Sequence, residues 1–164
     1  MPGIKVVAPT TPYDVKGLLI KSIRDNQPVI FIEHRMLYKN KGLVPKKIYE
    51  VNFGFSRKIC NGADVTLIGI SYTTIDCINS AKLLKEKKIN AEVIDLISIQ
   101  PLNMDRIIKS VKKTKNLIIV ENDWVNCSVS SEIIARILES IEIKIKVRRL
   151  GYEFTPCPTT KKLE

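Results

Sequence analysis

The chain has 164 residues, 45% hydrophobic and 27% charged, the balance of an ordinary soluble protein, and a domain of about 100 to 150 residues fits within it. No run reaches the roughly 20 consecutive apolar residues of a bilayer span, and MPGIKVVAP lacks the basic and apolar regions of a signal peptide, so neither a membrane helix nor export by a standard signal is expected. The formal charge of +10 would help attract nucleic acid, but the cations are spread over predicted helix faces (Lys82, Lys85, Lys87, Lys88; Lys109, Lys112, Lys113) mostly away from aromatic residues, so no nucleic-acid or membrane partner is expected.

IKVVAP (4 to 9) reads as a strand. Thr11 before Pro12 is a good N-cap followed by the residue favoured at the first helical position, and Asp14 places negative charge in the first turn. That helix is expected to run to about Arg24 and to bury Val15, Leu18, Leu19 and Ile23. VIFIE (29 to 33) is a second, fully apolar strand. Residues 34 to 58 hold Lys39, Asn40, Lys41, Gly42 and Pro45 with no sustained period, which predicts an inter-domain linker.

From Asp64 a regular α/β pattern sets in. VTLIGI (65 to 70), AEVIDL (91 to 96) and LIIVE (117 to 121) read as strands, and IKIKVRRL (143 to 150) as a more polar one near an edge. Between them lie helices over about 74 to 88, a second carrying Met104, Ile107, Ile108 and Val111, and a third carrying Val129, Ile133, Ile134, Ile137 and Leu138. This alternation predicts a doubly wound, mainly parallel sheet covered on both faces. Its strand C-termini, at 71 to 73, 98 to 103 and 121 to 126, would share the edge where ligands of such sheets bind. The expected division is residues 1 to 33, a linker over 34 to 58, the doubly wound domain over 59 to 150, and a Pro-rich tail over 151 to 164.

The chemistry is less legible. Cys60, Cys77, Cys127 and Cys157 form no CxxC pair and there is one histidine, His34, so buried reduced thiols are expected instead of a zinc site or disulfide framework. GxGxxG, GxxxxGK[ST], GxSxG and HExxH are all absent. SIRDNQP (22 to 28) ends a helix on free carbonyls and adds the side-chain oxygens of Asp25 and Gln27, the donors a hard cation wants; an ordinary helix C-terminal turn would look the same. Trp124 is expected in the loop after the third strand, on the crest of the sheet.

Several stretches together resemble one family. PGIKVVAPTTPYDVKGLLIKSIRDNQPVIFIEH is similar to the end of the pyrimidine-binding domain of thiamine diphosphate-dependent 2-oxoacid dehydrogenase β subunits, which transketolases share. GADVTLIGIS, AEVIDLISIQPLN, KTKNLIIVENDW and SEIIARI resemble, in order, the transketolase C-terminal domain of those subunits, and GYEFTPCPTTKKLE their Pro-rich stretch. The resemblance implies the C-terminal part of a β subunit, with Met1 falling inside the pyrimidine domain and the chain stopping before the family's final helix. It places the family's cofactor-contacting Glu and catalytic His outside this sequence, so no catalytic or cofactor-binding residue carries over and the chain alone is expected to be inactive.

In the complete enzyme the resemblance implies thiamine diphosphate and Mg²⁺, an α subunit and a second β subunit in a heterotetramer, and a dihydrolipoyl acyltransferase core. It implies a potassium site at Ser22, Ile23, Asp25 and Gln27, the first two through backbone carbonyls. Asn122, Asp123 and Trp124 are the implied interface residues, although Trp124 could equally cover the end of its own domain. The implied location is cytoplasmic, or the matrix of an organelle. Two other readings stand beside this one: a non-catalytic flavodoxin-like binding module, and a fragment of a transketolase or deoxyxylulose phosphate synthase.

Overall fold

The computed structural model describes residues 2 to 156. Its elements are β1 (Lys5–Val7), α1 (Pro12–Arg24), β2 (Val29–Phe31), β3 (Arg57–Cys60), β4 (Val65–Gly69), α2 (Tyr72–Glu86), β5 (Ala91–Asp95), β6 (Ser98–Gln100), α3 (Asp105–Thr114), β7 (Asn116–Trp124), α4 (Val129–Ser140) and β8 (Lys146–Tyr152). They form two sheets.

The larger sheet has the order β3-β5-β4-β7-β8, parallel except for β3. Side chains alternate across it as the strand period demands. Ile68, Ile94, Leu117 and Ile119 meet Ile107 and Val111 of α3 and Ile133 and Ile137 of α4 on one face. Leu67, Val93, Ile118 and Val120 meet Cys77 and Ala81 of α2 on the other. The doubly wound sheet expected from the sequence is therefore present, with the chain reversing direction between β4 and β7. Close packing of α2 against β4 requires Gly69: a Cβ there would lie 2.5 Å from Thr74 Cα.

The smaller sheet has the order β2-β1-β6, with β1 and β2 parallel and joined through α1, and β6 antiparallel to β1. Thr11 caps α1 as expected, its hydroxyl accepting the Asp14 N–H at 3.1 Å. Val7, Leu18, Val51 and Ile97 form the core on the α1 side, with Tyr13, Val29, Phe31, Tyr49 and Phe53 packed around it.

Four expectations need correction. β3 and β6 were not legible: both are short antiparallel additions at sheet edges, too short to show a period of their own. β7 runs on to Trp124, so residues 121 to 124 are strand and not loop. The last strand begins at Lys146 and not at Ile143, because Ile145 packs into the core ahead of it. Leu19 is 45% exposed and Ile23 75%, since α1 has a covered side only toward the small sheet.

The stretch over 34 to 58, expected as a linker, packs in part against α1. After a 3-10 turn at Arg35–Leu37, Tyr49 and Val51 press on α1 at Gly17, where a Cβ would lie 2.6 Å from Val51 Cγ2. Tyr49 stacks on Tyr13 at 4.4 Å and donates its hydroxyl to the Tyr13 carbonyl at 2.9 Å.

Candidate functional site

The crest of the large sheet is where a doubly wound fold usually offers a ligand site, and here it is covered by the loop after β1. Thr10 donates its hydroxyl to Asp95 Oδ1 at 2.8 Å and lies 3.1 Å from the Ser71 carbonyl. Thr74, in the first turn of α2, donates to the same Asp95 oxygen at 2.9 Å. Asp95 Oδ2 is buried with no partner. Burial pushes the Asp95 carboxyl up to about 7; the two threonine hydroxyls pull the other way, Asp14 adds to the rise and Arg57 opposes it.

Next to this centre, Asp14 is fully buried and receives Arg57 Nη2 at 2.5 Å and the Thr11 hydroxyl at 2.5 Å. Burial is the larger effect and leaves Asp14 titrating above the ordinary carboxylate range even beside Arg57. Ser71, at the strand-to-helix turn, is held at φ 54° and ψ −120°, a region that costs a non-glycine residue strain. Its hydroxyl faces the Pro9 carbonyl at 3.4 Å. The cluster welds α1 and its leading loop to β3, β5 and α2.

Asn122 lies against His34 Nε2 at 2.9 Å, while His34 Nδ1 accepts the Met36 N–H. The Asn122 atom that faces Nε2 is its amide nitrogen, Nδ2. His34 also stacks on Tyr72 at 4.8 Å. Beside it, the outer face of α1 and residues 33 to 40 bound an open cleft of about 480 Å³, lined by Pro9, Leu19, Glu33, His34, Leu37 and Tyr38.

Asp123 accepts the Trp124 N–H at 2.8 Å. Trp124 is 42% exposed; its indole N–H donates to the Thr155 carbonyl at 2.7 Å and its ring meets Phe154 edge-on at 6.2 Å. Its own chain thus covers part of the ring. Below the crest, Glu121 is buried and accepts the Ser130 N–H at 2.9 Å, capping α4 from across the strand end where Ser128 makes no side-chain cap.

In the SIRDNQP turn, the Ser22 carbonyl accepts the Asp25 N–H at 3.3 Å, and Asp25 accepts the Gln27 N–H at 2.9 Å and Lys5 Nζ at 2.7 Å on both oxygens. The Lys5 ammonium and the Gln27 amide hold the Asp25 carboxyl below its usual range. The turn therefore brings Ser22, Asp25 and Gln27 together, but Lys5 occupies the carboxylate, so a cation would rest on backbone carbonyls. One feature favours such a guest: Ser22 Oγ is buried and unpartnered. Among the described residues no three His, Cys, Asp or Glu side chains converge as a metal site.

The thiols differ from expectation in part. Cys77 is buried, with burial pushing its thiol up to about 12, whereas Cys60 is half-buried and Cys127 exposed at a positive-φ position; Cys157 lies outside the described residues.

Comparison with known proteins decides the family. Residues 54–164 match the model for the transketolase C-terminal domain, and residues 1–41 that for the transketolase pyrimidine-binding domain. The chain belongs to the transketolase C-terminal domain family. Over its full length it is 37% identical to the β subunit of acetoin:2,6-dichlorophenolindophenol oxidoreductase of Cupriavidus necator, covering 49% of that protein. It is likewise 37% identical to pyruvate dehydrogenase E1 component subunit β of Rickettsia felis, covering 51% of it. The corresponding Bacillus subtilis pyruvate dehydrogenase subunit is 40% identical over 83% of the chain and 42% of its own length. The chain thus spans about half the length of these relatives.

Among solved structures, a split-gene transketolase described as an inactive β4 tetramer matches with a TM-score of 0.78 at 22% identity, over 93% of this chain and 49% of that one, a likeness of fold. No helix among the described residues is long and apolar enough to cross a membrane.

Sequence reasoning missed the centre of this transketolase-type crest. Thr10, Asp14, Arg57, Thr74 and Asp95 are scattered over the chain and match no motif. The one local signal is the apolar strand AEVID ending on an acid.

Proposed function

We propose that this chain supplies the C-terminal domain, and the end of the pyrimidine-binding domain, of the β subunit of a thiamine diphosphate-dependent 2-oxoacid dehydrogenase, with pyruvate as the oxoacid and a lipoyl group as acyl acceptor. The observation that carries this reading is the pair of family matches in order along one chain, together with β-subunit relatives aligned to all of it. The contribution of these residues is assembly and positioning. The crest that could have held a ligand is filled by Pro9 and Thr10, bonded to Ser71 and Asp95.

The described residues do not fit thiamine diphosphate by themselves. Nothing here forms a glycine-rich phosphate cradle or a carboxylate cluster for Mg²⁺. The cofactor's carbon chemistry therefore belongs to the complete enzyme, where an α subunit, a second β subunit and an acyltransferase core are the proposed partners. Asn122, Asp123 and the exposed part of Trp124 form the proposed contact edge. A potassium ion at the Ser22–Gln27 turn, on the carbonyls of Ser22 and Ile23, is part of the same proposal.

The test replaces the matching half of the Rickettsia felis β subunit by this chain, co-expresses it with the α subunit, and measures oxoacid-dependent reduction of dichlorophenolindophenol. Turnover of pyruvate that requires thiamine diphosphate and Mg²⁺ is expected. A correctly assembled tetramer without turnover of pyruvate would refute the substrate. The similarity to the acetoin enzyme's β subunit supports a second reading, which predominant turnover of acetoin would establish.

A further inference from the structure

The seam between α1 and the crest of the large sheet holds two buried carboxyls and one cation. Asp14 of α1 and Asp95 of β5 are both fully buried. Arg57 stands opposite Asp95 in the register of β3 with β5, yet its guanidinium goes to Asp14 Oδ1 and lies over the Tyr13 and Phe55 rings at 5.5 and 5.7 Å. The Thr11 hydroxyl takes the other Asp14 oxygen. Asp95 gets no cation among the described residues: its Oδ1 accepts from Thr10 and Thr74, and its Oδ2 is buried with no partner.

Charge balance decides where a proton rests in such a group. With both carboxyls ionised the seam carries a net negative charge away from water, and with one proton bound it is neutral. Asp14 has a guanidinium on one oxygen and a hydroxyl on the other, so the proton belongs to Asp95. Burial is the largest influence on Asp95; the threonine hydroxyls and Arg57 oppose it, Asp14 adds to it, and the carboxyl is left at about 7. From α2 the facing group is Cys77, whose thiol is pushed up to about 12 by burial, with Asp76 and Asp95 adding to the rise, so it keeps its proton near neutrality. β4, β6 and residues 8 to 11 carry no acidic or basic side chain.

We propose that the Asp95 carboxyl is a proton-operated latch: with the proton bound, the segment from Ala8 to Thr11 stays seated on the crest, and loss of the proton lifts it, giving water to the carboxylate and uncovering Ser71, Thr74 and Asp95. Few other bonds hold the segment down. It lies outside the strands, between β1 and α1. Besides the Thr10 hydroxyl, it is tied by the Ser71 hydroxyl to the Pro9 carbonyl at 3.4 Å, a long contact, and by the Ala8 N–H to the Ile97 carbonyl at 2.9 Å. The groups it uncovers stand at the strand ends, where doubly wound sheets take their ligands. The latch shuts that rim in acid and opens it toward alkaline pH.

Amide hydrogen exchange of the full chain tests this, each rate being divided by the intrinsic rate at the same pH to give an opening constant. The seated segment binds the proton more tightly than the lifted one. The opening constant at Ala8 should therefore rise about tenfold per pH unit from about pH 5 and level off above about 7. Leu67 and Ile68, in the central strand β4, should stay at least about tenfold less open at every pH, since they open only with the whole domain. Asp95→Asn should abolish the rise at Ala8. Asp14→Asn leaves Asp95 titrating but removes the neighbouring charge and frees Arg57, so the levelling-off should move to lower pH. A flat Ala8 constant in the wild type overturns the latch. So does a rise that persists in Asp95→Asn, an Ala8 constant equal to those of Leu67 and Ile68, or a levelling-off unmoved in Asp14→Asn.

Discussion

Replacing Asp95 with asparagine should abolish the pH dependence of stability that this one carboxyl imposes. Asp95 is fully buried, and burial raises it from 3.8 to about 7. Because the folded form holds the proton more tightly than the unfolded chain, the group's contribution is complete below about pH 4, declines as pH rises, and is gone above about pH 7. A gap of about three pH units at about 1.4 kcal/mol each corresponds to about 4 kcal/mol across that window. Asparagine keeps an oxygen for the Thr10 and Thr74 hydroxyls and does not titrate, but its amide nitrogen takes the place of the unpartnered Oδ2 and costs about 1 to 3 kcal/mol at every pH. The variant should therefore be less stable than the wild type at pH 4.5 and equal or more stable at pH 8. Urea unfolding followed by circular dichroism at half-unit pH steps measures the difference, and titrations common to both proteins cancel. Parallel curves, with a gap constant to within about 1 kcal/mol, would refute the upward shift of the Asp95 carboxyl.

Arg57→Ala leaves the buried Asp14 carboxylate without its cation and should cost about 3 kcal/mol in urea unfolding, part of which Asp14→Asn in the same chain restores. Ile133→Ala opens a cavity between α4 and the sheet and should cost about 2 to 5 kcal/mol, with no change in oligomeric state by light scattering. Trp124→Phe removes the indole bond to Thr155 and should cost about 1 kcal/mol while speeding hydrogen exchange over residues 150 to 155. Potassium should raise the melting temperature more than sodium at matched ionic strength if the Ser22 to Gln27 turn takes a cation; equal shifts would remove that site.

Long periodic segments were the legible part of the fold. Thr11-Pro12 set the start of α1, and the apolar runs of β4, β5 and β7 set the parallel core, because covered strands cannot hide their composition. Short edge pairings were not legible, since β3 and β6 owe their existence to partners distant in the chain. The same holds for the crest. Asp14 could be read as a favourable charge in a helix turn, yet its burial against Arg57 is a tertiary fact, and nothing local to AEVID tells that Thr10 will bond to its last residue. Trp124 was expected in a crest loop but ends β7, and its covering by residues 154 and 155 depends on where β8 delivers the chain.

The passage from β5 to β6 has a mechanical consequence. Only two residues, Leu96 and Ile97, separate the end of a strand in one sheet from the start of a strand in the other, and both are buried, one in each core. The two layers are consequently stitched at a seam too short to swing, so a push on the small sheet is delivered directly to β5, the strand beside the β3 edge of the large one. Cutting the gene at residue 59 to liberate the second half would carry β6 away from β1 and leave a raw selvedge where Ser98 to Gln100 had been sewn to it.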